Sequence, residues 1–405
     1  MTIEDARMSD VLGANSNQAS PVKVMIIGVG GGGSNAVDNM ISAGVRVDTF
    51  MAINTDRQAL RLSKAKTRIQ IGSKITKGQG AGSDFEIGRR AAEESKEIIE
   101  ELIKDHDLIF ITAGMGGGTG TGAAPVIAQI AHDLEKLTLA FVTTPFKFEG
   151  TKRMRNAEVG IMNLRKHVDS LIIIPNEQLA AIAKDMTTQD AFKYADDVLR
   201  QGVQAITDLI MCPGKINVDF ADIRTVLKNG GDSFMGIGRA SGEKRAVEAV
   251  TRAVNNAILN VSIEGATQVI VNVEGKDARM EEVNRAVDLV RDICSPDANI
   301  IFGIGIVPAL EDEIQVTVIA TGFNKAAAAA ANAARTGAPV QRPEPEPEPA
   351  PQRQPIQPQP QQHIQQSFLN QQQPAQQQQP TQRRGGYVSL DDDIESSWLK
   401  RLNNK

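Results

Sequence analysis

The sequence is short of cysteine, of aromatic residues and of long apolar runs, and each shortage removes a class of protein. Only two cysteines, Cys212 and Cys294, occur in 405 residues. They form neither a disulfide framework nor a Cys/His metal site, which points to a reducing compartment and to no protein-held metal. Aromatic residues make up 4%, with a single tryptophan. No stretch of about 18 consecutive apolar residues occurs, so no membrane insertion is expected. Residues 1–20 are polar and lack the apolar centre of a signal peptide. The 44 basic and 49 acidic residues leave a net charge of −5, without the basic excess of a nucleic-acid binder. A cytoplasmic protein is expected.

Glycine is plentiful instead, and it is concentrated. Six of the nine residues from Gly114 to Gly122 are glycine, in the stretch Gly114-Met115-Gly116-Gly117-Gly118-Thr119-Gly120-Thr121-Gly122. An apolar run, Leu108 to Ile111, precedes it and a helical pattern from Val126 follows, which reads as strand, glycine loop, helix. Such a loop lets successive backbone N–H groups curl around an anion with no Cβ in the way, and the helix adds its positive end. Thr119 and Thr121 supply hydroxyls for phosphate oxygens or for a cap. A tight turn explains one such loop equally well, but a second follows the strand Val22 to Ile27, at Gly28-Val29-Gly30-Gly31-Gly32-Gly33-Ser34-Asn35. Two loops suggest a nucleotide gripped from two sides. Neither contains a lysine, which excludes the G-x-x-x-x-G-K-[ST] phosphate loop.

Further strands are expected at residues 48–53, 68–71, 139–142 and 171–174, alternating with helices, one of them spanning about 84–103. That alternation predicts an α/β fold with a parallel sheet covered on both faces, whose ligands lie at the carboxyl ends of the strands. A long helix from Asp190 to Gly214 is placed to join this domain to a smaller α/β domain. In the latter, the runs Ile300 to Val307 and Ile314 to Ala320 read as a hairpin. Beyond about residue 325 the chain turns Pro/Glu- and Gln-rich and cannot offset its ordering entropy. Sense returns near the end at Asp391 to Arg401, where Trp398-Leu399 is read as an anchor for a partner's groove. The expected organisation is a disordered arm 1–20, a nucleotide domain 21–189, a central helix 190–214, a C-terminal α/β domain 215–325, a linker 326–386 and a partner-binding peptide 387–405.

Gly28, Gly30 and Gly33, with Asp48 about twenty residues on, also satisfy the dinucleotide fingerprint, which keeps an NAD-dependent oxidoreductase open. The second loop has no role in that fingerprint. Its residues Gly116-Gly117-Gly118-Thr119-Gly120-Thr121-Gly122 resemble the signature of the tubulin superfamily, and the segment from about 20 to 325 is similar to the FtsZ family of bacterial cell-division GTPases.

The resemblance implies a Rossmann-like GTP-binding domain and a polymer built head to tail. Gly31, Gly32, Gly33, Ser34 and Asn35, Asn54 and Asp56, the turn Gly80-Ala81-Gly82, and Gly116, Gly117, Gly118, Thr119, Gly120 and Thr121 would hold the phosphates and ribose. Glu149 and Arg153 would contact the ribose, although their spacing also fits a surface helix pair. Asn176, Phe192 and Asp197 match the guanine site. A carboxylate accepts from the guanine N1–H and amino groups, and Phe192 offers a stacking face. Taken without the family, Asp197 is an exposed helix carboxylate.

In Asn217-Val218-Asp219-Phe220-Ala221-Asp222, the resemblance implies that Asn217, Asp219 and Asp222 enter the next subunit's nucleotide site and polarise the attacking water. Helix capping by Asp219 is the plain alternative. GTP/GDP with Mg²⁺ carried on the nucleotide are the implied cofactors. The implied partners are the chain itself and division proteins at the midcell division site, reached through the tail. The tail departs from the family's Asp-Ile-Pro-x-Phe-Leu-Arg pattern, since Asp393-Ile394 is followed by Glu395-Ser396-Ser397 and no proline. A non-polymerising regulatory nucleotide-binding protein is the remaining alternative.

Overall fold

A computed structural model describes residues 22–182, 186–211, 218–255 and 262–323. The arm 1–20, Cys212, Asn217, the linker 326–386 and the peptide around Trp398 lie outside the described residues.

The first sheet has seven strands: β1 (Val24–Val29), β2 (Thr49–Asn54), β3 (Thr67–Gln70), β4 (Leu108–Gly114), β5 (Leu137–Thr144), β6 (Ser170–Pro175) and β7 (Gly231–Asp232). They are ordered β3-β2-β1-β4-β5-β6-β7 and all pair in parallel. The interleaved helices are α1 (Gly30–Ser42), α2 (Arg57–Leu62), α3 (Ser73–Thr76), α4 (Phe85–Glu94), α5 (Lys96–Ile103), α6 (Thr119–Asp133), α7 (Thr151–Leu164), α8 (Asn176–Ile182), α9 (Thr188–Met211) and α10 (Phe220–Leu227). Alternate residues of each strand enter opposite layers, as the pleat demands. Val24, Ile26, Phe110 and Phe141 pack towards α1 and α9, while Met25, Ile27, Ile109 and Ile111 pack towards α6 and α7. Both faces are therefore buried, which is why these strands read as unbroken apolar runs.

The second sheet contains β8 (Phe234–Ser241), β9 (Gln268–Gly275), β10 (Asn299–Ile306) and β11 (Glu313–Thr321), backed by α11 (Arg245–Val254) and α12 (Met280–Ile293). Its order is β10-β9-β11-β8. The expected hairpin is therefore wrong: β10 pairs in parallel with β9 only, and β11 inserts antiparallel between β9 and β8. The β9–α12–β10 crossover carries β10 to the outer edge, leaving the other side of β9 for the returning chain. Helix α9 lies against both sheets through Leu199, Val203 and Ile206. A Cβ on its Gly202 would stand 2.6 Å from Phe141 and 3.1 Å from Met235, so glycine is what lets the helix fit between them.

Two other boundaries shift. The helix expected over 84–103 is two, α4 and α5, broken at Ser95 (φ −107°, ψ 15°). The second glycine loop is shorter than its composition suggests, because α6 starts at Thr119 and contains Gly120, Gly122 and Pro125. Among the described residues no helix is long and apolar enough to cross a membrane. Cys294 is buried, and burial pushes its thiol up to about 11, leaving it protonated and unreactive.

Candidate functional site

The strand order reverses between β1 and β4, which are hydrogen-bonded neighbours. Each runs directly into one of the two glycine loops, so both loops meet in the crevice at the carboxyl ends of the strands, where open α/β sheets bind ligands. The helices that follow share a second feature. Neither α1, entered at Val29, nor α6, entered at Gly118, has a side chain capping its first N–H groups. Asp56 caps α2, Asp84 caps α4 and Asp219 caps α10, while α3, α5 and α7 also lack a side-chain cap, so it is the convergence of the two glycine helix starts that sets them apart. Two helix ends with free donors converge on one place, and an anion is what satisfies them.

The crevice is a cavity of about 410 Å³. Gly31, Gly32 and Asn35 line it from the first loop, and Gly114, Met115, Gly117, Gly118, Thr119 and Gly120 from the second. Gly31 and Gly117 have open space where a Cβ would be, which is the cradle an oxyanion needs. Gly116 holds φ +106°, and a Cβ there would meet Pro145 at 2.6 Å. Its N–H donates to Thr121 Oγ1 at 2.8 Å, so Thr121 locks the loop from inside and does not face the cavity. Thr119 shares a 2.7 Å hydrogen bond with Thr55, tying the loop to the end of β2.

Several expected contacts support the cradle and do not line it. Gly33 is a packing glycine: a Cβ would sit 2.2 Å from the Thr112 carbonyl oxygen. Ser34 is buried with its hydroxyl unpartnered. Asn54 accepts from the Asp56 N–H at 3.2 Å, and Asp56 accepts from Gln58 and Ala59 N–H groups at 2.7 and 3.3 Å. The Gly80 N–H donates to Thr55 O at 3.3 Å, and Ala81 packs where a Gly118 Cβ would be. Gly82 adopts φ +56° in the same turn. These residues form the flank of the loop.

The rest of the cavity is lined by Thr143 and Thr144 at the end of β5 and by Pro145 just after it, by Glu149 and Arg153, by Asn176, and by Phe192, Ala195 and Asp196 of α9. The Phe146 N–H and the Arg153 guanidinium both donate to the Glu149 carboxylate, at 3.0 and 2.5 Å. Asn176 is buried and its Oδ1 has no partner, an orphaned acceptor facing a cavity and suited to a ligand N–H.

Asp197 is not in this wall. Burial raises its carboxyl, but hydrogen bonds from Arg200 Nε and Gln201 Nε2, both 2.7 Å, and the Arg200 charge outweigh burial and hold it below the ordinary carboxylate value. It is occupied on the neighbouring face. Asp196 lines the crevice, half-buried, with burial pushing it up to about 7, and an adjoining recess beside Asn35 is lined by both Asp196 and Asp197. On a helix, a residue four after Phe192 lies about 40° from it and one five after about 140°, so only helical phase separates the two carboxylates. Thr143 and Thr144 were also missed, although the strand-end rule that found Asn176 reaches them equally.

Asp219 and Asp222 stand at the start of α10, the Asp222 N–H donating to Asp219 Oδ1 at 2.8 Å. Neither lines the cavity, so within one chain they are not brought together with the glycine loops. Asp48, required by the dinucleotide reading, precedes β2 and accepts from the Val24 N–H at 2.7 Å. That is the amino end of the sheet, roughly 20 Å of strand away from the crevice. It cannot reach a ribose there, and the oxidoreductase reading fails.

Another cleft, of about 380 Å³, lies between α9 and the second sheet. Its polar groups satisfy one another: Arg239 donates to Gln315, Gln315 to Glu274, and Arg200 to Asp197 and Gln204. The crevice with the orphaned Asn176 is the better site.

Comparison with known proteins agrees. Residues 23–184 match the Tubulin/FtsZ family, GTPase domain, and residues 231–324 the FtsZ family, C-terminal domain. The FtsZ dimer of M. jannaschii, solved empty, is 43% identical with a TM-score of 0.72, covering 80% of this chain and 93% of that one. The GTPγS-bound protofilament of CetZ2 from Haloferax volcanii is 20% identical with a TM-score of 0.66, covering 78% and 98%; at that identity it shows a shared fold. A crevice built from two uncapped glycine helix starts at the switch point, the two matched domains and 43% identity over most of the chain make this protein a member of the Tubulin/FtsZ family.

Proposed function

We propose that this chain binds and hydrolyses GTP, polymerises head to tail, and forms the scaffold of the bacterial division ring, with hydrolysis completed between successive subunits. The observation that carries the nucleotide reading is the single cavity bounded by two uncapped glycine helix starts at one end and by Asn176, Phe192 and Asp196 at the other. Phosphates suit the first end and a purine base the second. Adenine presents an amino donor where guanine has a carbonyl, and an unprotonated N1 where guanine has N1–H. A carboxylate acceptor at Asp196 therefore selects guanine. Glu149 and Arg153 flank the ribose between the two ends.

Hydrolysis requires water to attack the γ-phosphorus as the bond to the β-phosphate oxygen breaks, giving GDP and phosphate. Such a reaction is driven by positioning and by neutralising charge. The glycine-loop N–H groups neutralise. Asp222 and Asp219, with Asn217 beside them in sequence, orient the water, and they arrive from a second copy because their own cavity is out of reach. Mg²⁺ carried on the nucleotide would screen its phosphates. The M. jannaschii FtsZ dimer supports self-association.

In this reading residues 21–189 are the GTP domain, 190–214 the central helix and 215–325 the domain offering the acids. Residues 387–405 around Trp398 recruit tethering and regulatory division proteins to midcell. The test is GTP turnover per molecule against protein concentration. It should rise from near zero above a threshold, and a rate that stays constant on dilution into the nanomolar range would contradict assembly-coupled hydrolysis.

A further inference from the structure

Phe148 is 68% exposed, an unusual place for a phenylalanine that caps no core. It belongs to a three-ring cluster with Phe146 and Phe192, of which Phe192 lines the cavity. Its ring stacks on that of buried Phe146, with centroids 5.1 Å apart and planes 13° apart. Phe192 meets both rings at right angles: Phe146 at 5.1 Å and 86°, Phe148 at 6.4 Å and 90°. Perpendicular contact leaves at least one face of Phe192 uncovered by the pair, and Phe192 remains 40% exposed.

The segment carrying the pair is fastened at Phe146 and Lys147. Glu149 accepts from the Phe146 N–H at 3.0 Å. Glu177 of α8 accepts from the Lys147 N–H at 3.0 Å and pairs with its ammonium at 3.1 Å. An exposed helix phenylalanine with no neighbours would exchange rotamers freely, and a ligand would have to freeze it. Two parallel rings held on a fastened turn remove that freedom before the ligand arrives.

We infer that Phe148, stacked on Phe146, is a positioning residue that pre-sets the Phe192 ring for stacking on a purine base. This rests on the reading of Phe192 and Asp196 as the base end of a nucleotide site. Phe148 does not touch the phosphates and need not touch the base; it acts through Phe192. Edge-to-face aromatic pairs of this kind are worth enough that losing the Phe148 ring should weaken base binding about fivefold.

The test is GDP affinity of the full-length protein, measured by calorimetry below the concentration at which it assembles, for the unaltered chain and for Phe148→Ala, Phe148→Leu, Phe148→Tyr and Phe192→Ala. Expected is about fivefold weaker GDP binding in Phe148→Ala, little recovery in Phe148→Leu and full recovery in Phe148→Tyr, with unchanged melting temperatures of the nucleotide-free proteins. Phe148→Ala binding GDP like the unaltered chain, or Phe148→Leu recovering fully, overturns the inference, since the residue is then a surface contact or generic apolar cover. Phe192→Ala binding GDP normally would instead overturn the base-site reading, so the two failures are told apart.

Discussion

Titration of Asp196 should make GDP binding about tenfold weaker at pH 6 than at pH 8, and Asp196→Asn should remove that part of the dependence. Burial pushes the Asp196 carboxyl up to about 7 in the nucleotide-free protein. Guanine offers two N–H donors, so it binds the ionised carboxylate. The ionised fraction is about 0.9 at pH 8 and about 0.1 at pH 6 for such a group, and affinity follows it. The sign is fixed by the raised value: binding is strong above pH 7 and lost as pH falls through it. Phosphate protonation on GDP contributes equally in both chains, so the difference between their pH profiles isolates Asp196.

The same carboxyl costs stability when no nucleotide is bound. Because it is raised from 3.8, the unfolded chain releases its proton before the folded one, and stability declines as pH rises from about 4 to 7. A rise of that size corresponds to at most ~4 kcal/mol, and residual solvation of a half-buried carboxyl reduces it to about 1–2 kcal/mol. Asp196→Asn should therefore melt later than the unaltered protein at pH 8 without nucleotide. Isothermal calorimetry across pH 6–8 and scanning calorimetry at pH 8 measure the two effects. A GDP affinity that is flat with pH, or an Asn variant with the same slope as the parent, would refute the assignment.

Asp197→Ala should leave GDP affinity within about twofold of the parent, since its carboxylate serves Arg200 and Gln201; a loss as large as that of Asp196→Ala would return the base contact to Asp197. Gly31→Ala has room for its methyl group and should melt within ~1 kcal/mol of the parent, yet bind GTP at least about tenfold more weakly because the methyl occupies the phosphate cradle. Gly33→Ala, meeting a backbone oxygen at 2.2 Å, should cost more than ~4 kcal/mol and fail to accumulate folded. Thermal melts and a GTP filter assay separate the pair, and equal behaviour of the two glycines would show that the cradle is misplaced.

The parallel sheet was legible because strands buried on both faces leave continuous apolar runs, and the site because glycine clusters directly after two of those runs. What was not legible depended on phase or on long-range pairing. Asp196 and Asp197 are chemically identical neighbours, and only the helical angle from Phe192 separates them. The path that inserts β11 between β9 and β8 leaves no local mark, since Ile300 to Val307 and Ile314 to Ala320 have the lengths and spacing of a hairpin. Gly33 and Gly31 read alike in sequence; a carbonyl from Thr112, 79 positions away, assigns one to packing and the other to the cavity. Asp48 matched a fingerprint by distance along the chain, and the end of the sheet at which it lies decided against it.

The central claim is that each active centre takes its glycine loops from one chain and its acids from another, and mixing two inactive variants tests it most directly. Asp222→Ala should bind GTP and fail to turn it over, because its glycine loops are unchanged while the water loses its orienting carboxylate. Asp196→Ala should fail to hold the base while still offering an intact Asp222. Steady-state phosphate release from mixtures should exceed the sum of the separate proteins, at contacts where the Asp222→Ala chain supplies bound GTP and the Asp196→Ala chain supplies the acid. If both variants are folded and co-sediment in one polymer, yet every mixing ratio stays inactive, the site is complete within a single chain and hydrolysis across the subunit contact is wrong.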